Sequence, residues 1–135
     1  ISYDQLIVSA GAKDGVSGGK IVLVGDSIIL GLVGEVFDEF SRIISFSSYG
    51  REQNLFLEKS GISVIAVGAG NNELKVFLPR DFPAEIGDRA YSITDQPYLV
   101  GFVEKIKFSP SSPNKTLKIK QPFNIYNLRS INILK

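Results

Sequence analysis

Apolar residues in this chain come in short runs separated by Gly, Asp, Asn, Ser and Pro, a spacing that predicts many short strands joined by turns. The clearest signal is Glu73-Leu74-Lys75-Val76-Phe77-Leu78, where polar and apolar residues alternate until Pro79 closes the run. Thr116-Leu117-Lys118-Ile119-Lys120 alternates in the same way and is expected to pair antiparallel with 102–107. Further strands are expected at Leu6–Val8, Ile21–Val24 (buried), Ile28 through Phe37, Arg42–Phe46, Leu55–Leu57, Ile62–Val67, Arg89–Ile93, Leu99 onward and Ile131–Leu134. Asp14-Gly15, Gly18-Gly19, Asn71-Asn72 and Thr94–Pro97 read as turns. No capped segment of helical period is present, and 35–41 could form one turn at most.

One pattern occurs twice. Leu32-Val33-Gly34-Glu35-Val36 returns, 67 positions later, as Leu99-Val100-Gly101-Phe102-Val103, and each copy runs on to Phe-Ser. A glycine inside a strand costs entropy and packs nothing, so it marks a bulge, a bend or a close backbone approach. Gly34 and Gly101 are therefore read as bend points that let a small sheet close, with Gly31 and Gly87 as further structural glycines. The flanks repeat loosely as well: turn, short strand, turn, then the glycine strand. The expected architecture is all-β, as two small antiparallel β-barrels spanning 1–59 and 60–135, with Glu58–Gly61 as the turn between them and little or no helix.

Composition supports a folded β protein: 44% hydrophobic and 21% charged residues in 135, with Val, Ile, Leu and Phe prominent among the core candidates. Residues 1–67 carry 5 basic and 8 acidic side chains, residues 68–135 carry 10 and 6, and from Lys105 to Lys135 there are seven basic residues and no acidic one. Such a stretch could face an anionic partner or be a solvated strand face. The apolar stretch Ile21–Val36 is interrupted by Asp26 and by Gly and Ser, and falls short of a membrane-spanning helix. A chain without Met that opens on Ile1 is expected to be a segment of a longer protein, with any signal or anchor upstream.

Catalytic chemistry finds little to work with. With no His and no Cys, the usual general base, a Ser-His-Asp triad, a thiol nucleophile and zinc–thiolate sites are all excluded. Gly15-Val16-Ser17-Gly18-Gly19-Lys20 resembles a phosphate loop, but Asp14 stands at the first glycine position and Ile21 replaces the magnesium-binding hydroxyl. Glu35, Asp38, Glu39, Asp81, Glu85 and Asp88 are the carboxylates available for acid–base work, with Asp38 or Asp88 the residues an enzyme reading would use. Asn114-Lys115-Thr116 matches a glycosylation sequon. The alternative functional reading is a small nucleic-acid-binding β-barrel, with Phe102, Phe108, Phe123 and Tyr126 lying among the C-terminal lysines.

Several segments, in order, resemble one family: Gly11–Val16, Gly31–Val36, Ser41–Ile44, Ile65–Gly68, Leu74–Asp81, Ile86–Arg89 and Leu99–Val103. Their succession is similar to the extracytoplasmic region of the MreC family of bacterial rod shape-determining proteins. The sequence departs from that pattern at Thr94-Asp95-Gln96-Pro97, where the family has a longer loop, and at Ser47–Gly50, which lacks the usual acidic turn residue. The resemblance implies a non-enzymatic scaffold of lateral cell-wall synthesis without cofactor or metal. It implies a membrane anchor and coiled coil upstream of Ile1 and a position on the periplasmic face of the membrane. Its implied partners are a penicillin-binding transpeptidase and its glycosyltransferase, MreB and MreD, with self-association and no nucleic acid. It leaves the partner-binding surface unassigned.

Overall fold

The computed structural model describes residues 5–124, 128 and 130–135. They form β1 (Gln5–Val8), β2 (Ile21–Val24), β3 (Ile28–Val36), β4 (Ser41–Ser45), β5 (Glu52–Leu57), β6 (Ile62–Gly70), β7 (Glu73–Pro79), β8 (Arg89–Ser92), β9 (Leu99–Phe108), β10 (Asn114–Lys120) and β11 (Ile131–Ile133). Apart from a 3-10 turn at Ala12–Asp14, no helix occurs among the described residues.

Strands β5-β6-β7-β10-β9-β8 pair antiparallel around a closed circuit, so this six-stranded barrel has no free edge. The remaining strands form a sheet in the order β1-β4-β3-β2-β11. Its outer strands, β1 and β11, are not paired with each other among the described residues. The expected pairing of 102–107 with 116–120 is present, and Glu104 bulges out opposite Lys118. Asn71 and Asn72, at φ 53° and 61°, make the tight β6–β7 turn, a conformation that asparagine tolerates better than most residues.

Long-range pairing groups the strands differently from a division at 59/60. That point lies in the hairpin turn between β5 and β6, which pair from Glu52 opposite Val67 to Leu57 opposite Ile62. At the other end of the chain, β11 returns to the first sheet and pairs with β2. A tight turn makes neighbours of the strands it joins, so the Glu58–Gly61 turn lies within the closed barrel.

Two apolar cores result, and β2 and β3 serve both. Side chains alternate across a strand. Leu23 and Ile29 accordingly enter the larger core with Phe46, Leu55, Val64, Leu74, Val76, Val100, Leu117 and Ile119. Val22 and Leu30, one step along each strand, enter the smaller core with Val16, Val33 and Ile43. The register shifts between Val22 and Leu23, so that Val22 faces Gly31 and Leu23 faces Ile29, with Leu30 as the extra residue. The two halves also meet through a single parallel pair, Ile28 with Leu99, and through a buried polar cluster. There the Ser45 and Ser47 hydroxyls lie 2.9 Å apart, Gly70 N–H donates to the Ser47 carbonyl at 2.8 Å and Gln121 N–H donates to the Asn72 carbonyl at 2.9 Å.

The glycines mark close approaches. A Cβ on Gly31 would strike the Ile44 carbonyl, one on Gly101 the Lys120 carbonyl, and one on Gly68 the Ser48 carbonyl. By contact, Gly31 rather than Gly34 is the counterpart of Gly101. A Cβ on Gly34 would crowd the Ile44 side chain, at 2.8 Å from Cδ1, and meet the Arg42 carbonyl only at an ordinary 3.5 Å, beside the irregular β3–β4 register. Gly87 has open space around it and a φ of 90°, which L side chains rarely adopt. Gly101→Ala should therefore cost about 3 kcal/mol, the upper range for overpacking, because a backbone carbonyl in a paired strand cannot step aside. Gly34→Ala should cost below about 1 kcal/mol, because the end of the Ile44 side chain can move. Urea denaturation of the two variants checks the difference; equal losses would contradict it.

Candidate functional site

The barrel wall formed by β8, β5 and β6 carries apolar side chains on its outer face as well as its inner one. In β5, Leu55 and Leu57 point inward, so Phe56 between them points outward, where it is 38% exposed. Phe56 is paired with Ser63 on one side and Tyr91 on the other. The small Ser63 beside two rings leaves a groove of about 470 Å³, lined by Phe56, Glu58, Ser63, Tyr91, Ser92, Ile93 and Pro97. Apolar surface continues past it: Ile65 on β6 is 59% exposed and Phe77 on β7 is 62% exposed. Phe77 also walls a smaller depression with Tyr49 and Val67. A run of exposed aromatic and branched side chains on a closed barrel is the kind of surface that a protein partner covers.

The Thr94–Pro97 turn lies beside this groove and contributes Pro97 to its lining. The Ser92 and Thr94 hydroxyls lie 2.8 Å apart, Thr94 Oγ1 donates to the Gln96 carbonyl at 2.6 Å, and Tyr98 N–H donates to Ser92 Oγ at 3.0 Å. These bonds hold a tight turn that brings Pro97 and Ile93 against the groove.

The carboxylates do not gather. Glu35 pairs with Arg42, Glu39 with Lys13 and Glu85 with Lys59, each near the surface. Asp38 and Asp81 are exposed. Asp88 is 2% exposed and is occupied structurally: Lys59 N–H donates to Oδ1 at 2.7 Å, and Ser60 N–H and Oγ–H donate to Oδ2 at 3.0 and 2.6 Å. Among the described residues no group of three His, Cys, Asp or Glu side chains could hold a metal ion, and no helix is long and apolar enough to cross a membrane. The Gly15–Lys20 stretch is a turn, with Gly15 and Gly19 at φ 81° and 80°.

The C-terminal basic run is dispersed. Lys115 is buried, Lys118 is paired with Glu73 and Glu104, and Lys120 reaches Glu73 at 3.8 Å. Hydrogen bonds to Glu73 and then Glu104 hold the Lys118 ammonium above the ordinary lysine range. Of the aromatics among those lysines, Phe123 packs on the smaller core, while Phe102 and Phe108 lie on the barrel exterior. Tyr126 and Arg129 lie outside the described residues.

Comparison with known proteins adds the family. The sequence profile described as "Rod shape-determining protein MreC, barrel core" matches residues 2–135. The chain belongs to the MreC family. Solved MreC structures share its fold. MreC from Pseudomonas aeruginosa is 19% identical with a TM-score of 0.87, the match covering 98% of this chain and 89% of that one. MreC from Listeria monocytogenes is 19% identical with a TM-score of 0.78, covering 98% and 68%. A complex between a penicillin-binding protein and MreC from Helicobacter pylori matches at 14% identity and a TM-score of 0.62, covering 87% and 79%. No curated protein sequence matches the chain.

Within this MreC barrel core, the groove escaped sequence reasoning because Leu55-Phe56-Leu57 is apolar throughout. The available signal was two residues away on either side: Asn54 and Glu58 share the face of Phe56, as Ser63 shares that of Ile65 and Lys75 that of Phe77. Asp88, named from the sequence among the carboxylates available for acid–base work, instead organises a turn nearly thirty residues earlier in the chain. Asp88→Ala should lower stability by about 3 kcal/mol, because it leaves two backbone donors of the 59–60 turn without their charged acceptor. Thermal or urea unfolding measures this, and a loss below about 0.5 kcal/mol would contradict the capping role.

Proposed function

We propose that this chain is a periplasmic, non-enzymatic scaffold of lateral cell-wall elongation, and that the groove around Phe56 receives a penicillin-binding transpeptidase. The observation that carries the reading is the exposed apolar wall of β8, β5 and β6: a preformed groove on a rigid barrel, with no gathered set of reactive side chains beside it among the described residues. Membership of a rod shape-determining family supports the role. Support for the partner comes from the Helicobacter pylori MreC solved with a penicillin-binding protein. Support for the location comes from an MreC structure described as the major periplasmic domain of a cell shape-determining filament, which shares this fold at 15% identity and a TM-score of 0.71. In the same reading, a segment upstream of Ile1 anchors the protein to the membrane, MreB and MreD are further partners, and copies of the chain self-associate.

Binding of the full-length protein to the transpeptidase of its own cell-wall machinery is the test. Phe56→Asp should weaken it at least tenfold, since truncating a central aromatic anchor commonly costs about 2 kcal/mol and the new carboxylate must also be desolvated. Because Phe56 points outward, the variant should remain folded, with a modestly lower melting temperature from the lost pairing with Tyr91. Wild-type affinity in Phe56→Asp would remove the groove from the interface. Failure of the wild-type protein to bind any component of the elongation machinery would remove the scaffold reading.

A further inference from the structure

At the end of the closed barrel away from the β1–β4 sheet, two connections are locked together: Arg80–Asp88 between β7 and β8, and Ser109–Pro113 between β9 and β10. Arg80 N–H donates to the Pro113 carbonyl at 3.0 Å, and Arg80 Nη1 donates to the Ser109 carbonyl at 2.8 Å and the Ser112 carbonyl at 3.4 Å. Lys115, only 6% exposed, donates its ammonium to the carbonyls of Arg80 (3.1 Å) and Phe82. Both cations lie over one ring, with Arg80 Cζ 5.0 Å and Lys115 Nζ 5.9 Å from the centroid of Phe108. That ring is 55% exposed and Phe82 beside it is 47% exposed.

Neither Arg80 nor Lys115 has a carboxylate within 4.0 Å among the described residues. Exposed lysines such as Lys105 and Lys107 share that lack, but here one of the two cations is buried. Backbone carbonyls satisfy hydrogen bonds but do not cancel two positive charges, one of them largely removed from water. Moreover, Arg80 spends only Nη1 on the protein. Its Nε and Nη2 hydrogens have no acceptor among the described residues, and that edge of a guanidinium fits a carboxylate in a two-point contact. The Nη1 bonds fix the plane of the fork beside the Phe108 ring, so a ligand would find it already ordered.

We propose that this tip is a second docking surface, separate from the Phe56 groove, that takes an acidic segment of a partner protein. A Glu or Asp carboxylate is held on the free edge of Arg80, and a neighbouring apolar side chain rests on Phe108 and Phe82. A lipid surface fits less well, because adhesion to anionic bilayers draws on clusters of several lysines and arginines, and this tip offers one free fork with Asp81 next to it.

The test uses a fluorescein-labelled peptide of about ten residues alternating Glu and Leu, its twin with Gln in place of Glu, and the nitrogen-15-labelled barrel protein. The Glu peptide should shift the amide signals of 80–83 and 107–112 and bind at least tenfold more tightly than the Gln twin. Arg80→Lys, which keeps the charge and loses the fork, should weaken it at least fivefold, and Phe108→Ala comparably. Phe56→Asp and Lys105→Ala should leave it unchanged, which separates this surface from the groove and from the exposed strand lysines. Absence of Glu-peptide binding, equal binding of the Gln twin, or undiminished binding in Arg80→Lys would overturn the proposal. So would vesicles containing roughly one-third phosphatidylglycerol shifting the same amides in the peptide's stead, which would assign the tip to a membrane.

Discussion

Val22 and Leu23 are neighbours in one strand, point to opposite sides of it, and are both almost fully buried. That two-sided burial is the constraint on which the rest of the structure depends. A strand at the surface of a small barrel normally keeps one face in water; the β2–β3 ribbon keeps neither, because it is the wall between two cores. Each core alone is small, and one built on Val16, Val22, Leu30, Val33 and Ile43 would bury little apolar surface. Sharing the ribbon couples the two, so displacing Leu23 or Ile29 from the larger core also tilts Val22 and Leu30 in the smaller one.

Close backbone approach is the second half of the same arrangement. Gly31 in the shared ribbon, and Gly68 and Gly101 in the barrel wall, stand where a side chain would strike a carbonyl. The buried polar cluster of Ser45, Ser47, Asn72 and Gln121 joins the halves where apolar packing gives way to these crossings. With its interior so committed, the barrel leaves its outside for the proposed partners: an apolar wall on β8, β5 and β6, and a cationic-aromatic tip at the far end.

Much of the strand inventory was legible in the sequence, because alternation such as Glu73–Leu78 and punctuation such as Asn71-Asn72 are local signals. The glycine repeat was legible as a pattern and less so in its detail: matching letters put Gly34 against Gly101, while the contacts put Gly31 there. What was not legible is non-local. No property of Ile131–Ile133 says that it crosses back to β2, and the Glu58–Gly61 turn looks the same whether it separates two units or closes a hairpin within one. The outward side chains of the groove were hidden for a related reason, since Leu55-Phe56-Leu57 and Ile62–Val67 owe their apolar character to two different faces. The tip was hidden more deeply, because Arg80, Phe108 and Lys115 meet only after three strands have paired.

If the shared ribbon governs the structure, the two cores should unfold together despite the chain's two-part plan. Differential scanning calorimetry of residues 1–135 tests this most directly, by comparing the calorimetric enthalpy with the van't Hoff enthalpy of the same transition. The account predicts one endotherm with a ratio close to one, both in the wild-type protein and, at lower temperature, in Leu23→Ala. Two resolved endotherms, or a Leu23→Ala variant that loses one transition and keeps the other unshifted, would contradict it.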